Sequence, residues 1–234
     1  MSDKLKQLKA DMRKLANPEK ARLLSGYFKT GKGEYGEGDT FLGIMVPDQR
    51  RVAKKYADLL MSDLRKLISS RMHEERLVCL FILINRYKKA DMQGKKEVVD
   101  FYLRNMRHIN NWDLVDLSSG TVLGGYLIDR DRSILYEMAK SDDLWKRRIA
   151  IMSTFAFIRQ NDFGDTLRIA EMLLNDSHDL IHKAVGWMLR EIGKRDQAIE
   201  EAFLKKHYRK MPRTMLRYAI ERFDEQKRKN YLRK

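Results

Sequence analysis

Apolar residues recur along this chain at spacings of three and four, as at Leu167, Ala170, Leu173 and Leu174. That spacing lines up side chains on one face of an α-helix. No sustained period-two stretch bounded by turn residues occurs, so the pattern predicts an all-α protein. Pro18, Pro47 and Pro212 each fall where a helix can start, a position at which the missing N–H costs nothing. Helices are expected over 3–16, 18–29, 47–60, 62–70, 73–89, 92–107, 112–128, 131–140, 143–159, 162–175, 178–193, 196–207 and 212–229. They alternate between amphipathic helices and more apolar ones.

Trp112, Trp145 and Trp187 each lie near the start or middle of the more apolar member of a helix pair, 33 and 42 residues apart. This is near the repeat length of helical-hairpin solenoids of the HEAT class, so residues 1–234 are expected to form a single HEAT-like repeat domain with one concave face. The irregular segment is Thr30 to Thr40, with four glycines, ahead of Phe41-Leu42-Gly43-Ile44. No strand precedes it and no Gly-Lys-Ser/Thr follows, so it reads as a flexible surface loop rather than a phosphate loop. Its flanking Tyr27, Lys29 and Lys32 are candidates to touch a polyanion.

Composition adds charge to this picture. The chain of 234 residues carries 48 Lys plus Arg against 33 Asp plus Glu, a net +15, and 43% hydrophobic residues suffice for a substantial core. From Phe203 onward there are 12 basic and 3 acidic residues, so +9 of the excess lies in the last helices. Tyrosines interleave with the basic residues at Tyr208-Arg209-Lys210 and Arg217-Tyr218. Such a surface favours phosphate contacts and salt-dependent nucleic-acid binding over a merely solvated face. The lone Cys79 lies in the apolar run Leu77 to Ile84; it excludes an intrachain disulfide and reads as a core thiol. That run is too short to span a bilayer, and no signal-peptide core follows Met1-Ser2-Asp3-Lys4, so a cytoplasmic protein without a membrane partner is expected.

The candidate chemistry centres on Asn111-Trp112-Asp113-Leu114-Val115-Asp116. Asn111 is a good N-cap, and the spacing of four puts the Trp112 indole and the Asp116 carboxylate on one helix face near the positive end of the helix dipole. An indole plate beside an ionised carboxylate can grip a cation or orient a water. Beside a polyanion, the cation that fits is a deoxyribosyl oxocarbenium ion on DNA. Asp113 points elsewhere and reads as a helix-start charge. Lys183, Trp187 and Arg190 share a second helical stripe, a basic face interrupted by an indole, while Arg148 follows Trp145 on a helix where Trp145 itself reads as structural. Among His73, His108, His178, His182 and His207, only His178 and His182 share a face, with no third ligand, so all five read as surface or packing residues and no metal is expected. Ser118-Ser119-Gly120 lacks the strand-turn context of a hydrolase nucleophile and reads as helix packing.

Several segments in order, Asn17-Pro18-Glu19-Lys20, Phe41-Leu42-Gly43-Ile44 followed by Pro47, Trp112 to Asp116, Trp145 to Ala150 and Lys183 to Arg190, resemble the AlkD family of DNA glycosylases over most of the chain. The resemblance implies a HEAT-like α-solenoid whose concave, basic face holds duplex DNA. It implies hydrolysis of the N-glycosidic bond of cationic N3- or N7-alkylpurines in base excision repair, without flipping the base into a pocket. By the same resemblance Asp116 matches the catalytic carboxylate, Trp112 and Trp187 match indoles that pack on the deoxyribose, and Arg148 matches a phosphate-binding arginine. Lys183, Arg190 and Tyr27 join Arg148 as expected DNA contacts. No cofactor is required, and a monomer acting on nucleoid DNA is expected. The glycine-rich loop is longer than the family pattern, and Asn111 stands where an additional Trp can occur. The competing readings are a non-catalytic HEAT-like module binding branched or damaged DNA, and a scaffold whose basic face meets an acidic protein.

Overall fold

A computed structural model describes residues 1–233. Among them no β-strand forms; Thr40 and Met72 make an isolated bridge, and everything else regular is helical. The chain divides into two compact units, residues 1–118 and 119–234. No helix among the described residues is long and apolar enough to cross a membrane.

The first unit holds α1 (Asp3–Lys14), α2 (Pro18–Tyr27), α3 (Val46–Lys55), α4 (Met61–Ile68), α5 (His73–Lys89), α6 (Met92–Arg104) and most of α7 (Trp112–Ser119). Its core is α5, whose apolar run Leu77–Ile84 is buried on all sides as α3, α4 and α6 pack around it. A helix apolar all round has to be interior. Cys79 lies in that run, and burial pushes its thiol well above the ordinary range, which makes it a packing residue. Helix starts follow the sequence signals. Asn17 Oδ1 accepts from Lys20 N–H at 2.9 Å just before Pro18, and Asp91 Oδ1 accepts from Gly94 N–H at 2.8 Å.

The second unit continues from α7 through a π-helical segment, Gly120–Gly124, into α8 (Ser133–Ala139), α9 (Leu144–Ser153), α10 (Phe155–Ile158), α11 (Gly164–Met172), α12 (Asp179–Gly193), α13 (Gln197–His207), α14 (Arg213–Ala219) and α15 (Glu225–Leu232). Here α12 is central, packing against α9, α11, α13 and α14. Its Gly186 is required by proximity: a Cβ there would stand 2.4 Å from the Met215 carbonyl oxygen and 2.6 Å from Tyr218 Cβ.

The helix expected over 47–60 ends at Lys55 and the one over 92–107 at Arg104, and three others are interrupted. The 112–128 helix passes into the π segment, where a Cβ on Gly124 would meet the Ser153 carbonyl at 2.1 Å, so close packing on α9 accompanies the altered winding. The 143–159 helix divides at Thr154, whose hydroxyl bonds back to the Ile151 carbonyl at 2.7 Å and competes with the helical ladder. The 212–229 helix breaks at Phe223, which is extended (φ −73°, ψ 154°), because Asp224 caps a new helix through Lys227 N–H at 2.9 Å.

Candidate active site

In the first unit the site is built on the start of α7. Asn111 is fully buried, and its Oδ1 accepts from Trp112 N–H at 2.8 Å, fixing the residue that opens the helix. Trp112 and Asp116 are both half-buried and lie one turn apart. Asp116 is near enough to the buried Tyr102 for its negative charge to oppose ionisation of that phenol. Tyr102 is pushed up chiefly by burial, against a hydrogen bond with Ser118 Oγ at 3.1 Å, and Asp116 adds to the rise. Ser118 and Ser119 are buried in the packing, as the sequence implies.

The Trp112 ring is braced by aromatics from α2 and the residue after it. Phe28 stacks on it at 5.1 Å and 26°, and Tyr27 meets it edge-on at 5.7 Å and 77°. Tyr27 is 64% exposed, so an open aromatic side chain stands beside the indole. Phe28 in turn stacks with Phe41 at 5.3 Å and His73 at 4.9 Å. The glycine-rich loop has a definite job here, carrying Asp39 and delivering Phe41. Gly36 must be glycine because a Cβ would sit 2.3 Å from the Phe28 carbonyl, and Asp39 is buried against His73 and Arg76.

Sequence reasoning missed Phe28, Asp39 and Arg76 and misread two further residues of this arrangement. His73 is not an ordinary packing histidine, and Asp113 is more than a helix-start charge: both are buried, and His73 Nε2 and Asp113 Oδ2 are 2.8 Å apart. The available signal was slight, a histidine opening the most apolar helix and an acid directly after the key tryptophan.

In the second unit Lys183, Trp187 and Arg190 are all half-buried on α12, as the stripe predicts. Lys183 Nζ pairs with Asp179 at 2.7 Å with its side chain 40% exposed. Trp187 Nε1 donates to Glu191 Oε1 at 3.0 Å. Arg190 pairs with Glu221, and its Nη2 lies 3.7 Å from Glu191. Arg148 on α9 is buried, and its Nη1 donates to the Leu180 carbonyl just inside α12. Trp145 N–H is capped by Asp143 at 2.8 Å. His178 and His182 serve the same helix start: His178 Nδ1 accepts from Leu180 N–H at 3.1 Å, and His182 Nε2 lies 2.5 Å from the Asp176 carbonyl oxygen. Among the described residues no group of three or more His, Cys, Asp or Glu is placed to hold a metal ion.

Residues 8–223 match the family model for the DNA alkylation repair enzyme. The chain belongs to that family. Among solved structures, it is similar to a predicted DNA alkylation repair enzyme from Enterococcus faecalis, with a TM-score of 0.69 and 16% identity over 90% of this chain and 97% of that one. It is also similar to the protein smu.31 from Streptococcus mutans UA159, with a TM-score of 0.55 and 15% identity over 95% and 100% of the two chains. These likenesses establish the shared helical fold. No curated protein matches the chain. Within the DNA alkylation repair family a net charge of +15 fits a polyanionic partner.

Proposed function

We propose that this protein is a DNA glycosylase that hydrolyses the N-glycosidic bond of N3- and N7-alkylated purines in duplex DNA, initiating base excision repair. Membership of the DNA alkylation repair family supports a role on alkylated DNA. The observation that carries the chemistry is the pairing of a braced indole, Trp112, with a carboxylate one turn on, Asp116. Residues 1–234 act in this reading as one HEAT-like repeat domain, a monomer working on nucleoid DNA in the cytoplasm.

Alkylation at a ring nitrogen leaves the base positively charged, so it departs as a neutral molecule without a general acid. Positive charge then builds on the deoxyribose, which becomes oxocarbenium-like as the bond to the base breaks. Asp116 stabilises that charge and orients a water toward C1′; the water's proton passes to the carboxylate and then to solvent. Trp112 adds cation–π attraction of about 0.5 to 2 kcal/mol, and Trp187 is in this reading a second indole that packs on deoxyribose. Arg148, Lys183 and Arg190 contact phosphates, and Tyr27, exposed beside Trp112, contacts the DNA.

The test is incubation with duplex DNA containing 7-methylguanine, followed by measurement of free base. Release by the native protein is expected, with a loss of about 100- to 1,000-fold in Asp116→Asn, the size seen when a group that stabilises transition-state charge is removed. Duplex affinity should stay within a few-fold. Binding without any base release would replace this reading with that of a non-catalytic damaged-DNA module.

A further inference from the structure

His73 opens α5 with 2% of its surface exposed. Its Nε2 lies 2.8 Å from Asp113 Oδ2, and its Nδ1 lies 3.1 Å from Asp39 Oδ2. A carboxylate at each ring nitrogen calls for two N–H donors, and only the imidazolium has two. Arg76 Nη2 also donates to Asp39 at 2.6 Å and approaches His73 Nδ1 at 3.4 Å. Glu74, the next residue on α5, turns its carboxylate away to the N–H groups of Leu42, Gly43 and Ile44. The charged groups facing the ring are therefore Asp39 from the loop, Asp113 from α7 and Arg76 from α5 itself. Burial and Arg76 disfavour the charged ring, yet the two carboxylates prevail and the His73 pKa is raised above its usual value.

Two connections run from this ring to Trp112. The imidazole stacks on Phe28 at 4.9 Å, and Phe28 stacks on Trp112 at 5.1 Å. Separately, Asp113 follows Trp112 in the first turn of α7, and Asn111 before it reaches Asp39 at 3.5 Å. The first turn of α7 is thus held on both sides of Trp112 by groups that converge on His73 and its partner Asp39.

We propose that His73, as an imidazolium bridging Asp39 and Asp113, is a positioning residue that sets the orientation of Trp112 and, one turn on, of Asp116. Loss of its proton leaves one buried carboxylate facing a ring lone pair and releases the start of α7. The consequence for base release rests on the glycosylase reading; the consequence for Trp112 does not.

The experiment therefore reads Trp112 directly. In the Trp145→Phe, Trp187→Phe background Trp112 is the sole tryptophan, and its emission is followed from the ordinary histidine range into alkaline solution, since a raised histidine titrates above its usual value. A single step on the alkaline side is expected, absent from the same protein carrying His73→Gln and shifted to lower pH by Asp39→Asn. Emission that stays flat, or a step that survives His73→Gln, overturns the proposal; if His73→Gln does not fold, the direction of the Asp39→Asn shift decides. In the full chain, the single-turnover rate of 7-methylguanine release should fall with the same midpoint while duplex affinity holds. An unchanged Trp112 step with no base release at any pH would sink the glycosylase reading alone.

Discussion

The indole N–H of Trp187 donates to Glu191 Oε1 at 3.0 Å, one turn along α12, and the same carboxylate oxygen takes Lys194 Nζ at 2.6 Å. Glu191 thereby fixes the rotation of the indole while Lys194 holds the carboxylate in place. Glu191→Ala should free the ring and slow release of 7-methylguanine by about 3- to 10-fold, the equivalent of roughly 1 kcal/mol for one hydrogen bond. Single-turnover kinetics check the rate, and Trp187 emission in a Trp112→Phe, Trp145→Phe background reports the ring's environment.

Substrate charge is the sharpest discriminator of mechanism. Without a general acid for the leaving base, 7-methylguanine and 3-methyladenine should be released quickly and hypoxanthine, which is neutral, poorly. Release from matched duplexes measures this, and equal rates would mean that a proton donor has been overlooked and that Asp116 is misassigned.

Phosphate contacts should reveal themselves through salt. Duplex affinity is expected to fall steeply with salt concentration, and Lys183→Ala to lower the slope of log K against log salt by about 1 with equal losses on unrelated sequences. Arg148→Ala should also weaken binding. Because Arg148 is buried and donates to the Leu180 carbonyl, its loss should lower the melting temperature as well, whereas the half-exposed Lys183 should leave it nearly unchanged.

Glu200 gives the second unit a pH-dependent stability. Its carboxyl is buried, Oε1 has no hydrogen-bond partner, and a Cβ on Gly193 would lie 1.7 Å from Oε2, so the group is packed against α12. Burial, reinforced by the neighbouring Glu201, pushes its pKa up to about 8. The folded state keeps this proton after the unfolded chain has lost it, so the associated stability is present below the ordinary glutamate range and is lost as pH rises to about 8. Glu200→Gln should remove that loss. Thermal melts of the two proteins at pH 5 and pH 9 are expected to differ little at the lower pH and by about 4 °C or more, in favour of the variant, at the higher.

The helical fold was legible because spacing alone reports a buried face: the apolar run of α5 and the stripe of α12 both lie where the pattern puts them. The interruptions at Thr154 and Phe223 were not, since a back-bonding hydroxyl and a new cap at Asp224 are local competitions that leave the apolar spacing intact. Trp112 and Asp116 could be read together because four residues is one helical turn. His73 could not, because its partners Asp39 and Asp113 lie 34 and 40 residues away, one of them in a glycine-rich loop that carries no periodic signal. Arg190 shows a further limit: its place on the stripe was readable, but its pairing with Glu221 joins it to a residue 31 positions on.

The Glu74 carboxylate, collecting three consecutive backbone N–H groups from Leu42 to Ile44, works as a rivet between α5 and the chain just beyond the glycine-rich loop. Thr40 adds a second fastening, donating its N–H to Arg71 and accepting from His73 N–H at 2.9 Å. On the other side, α2 is fastened where Asn17 N–H donates to Leu42 at 2.8 Å. Gly36 is itself secured, donating its N–H to the Lys29 carbonyl at 2.9 Å, so it is the exposed turn from Gly31 to Glu34 that hangs between two secured ends. A protease that nicks it should produce two fragments that stay associated and keep Phe28 against Phe41, and residues inserted there should cost little more than the logarithmic entropy of a longer loop.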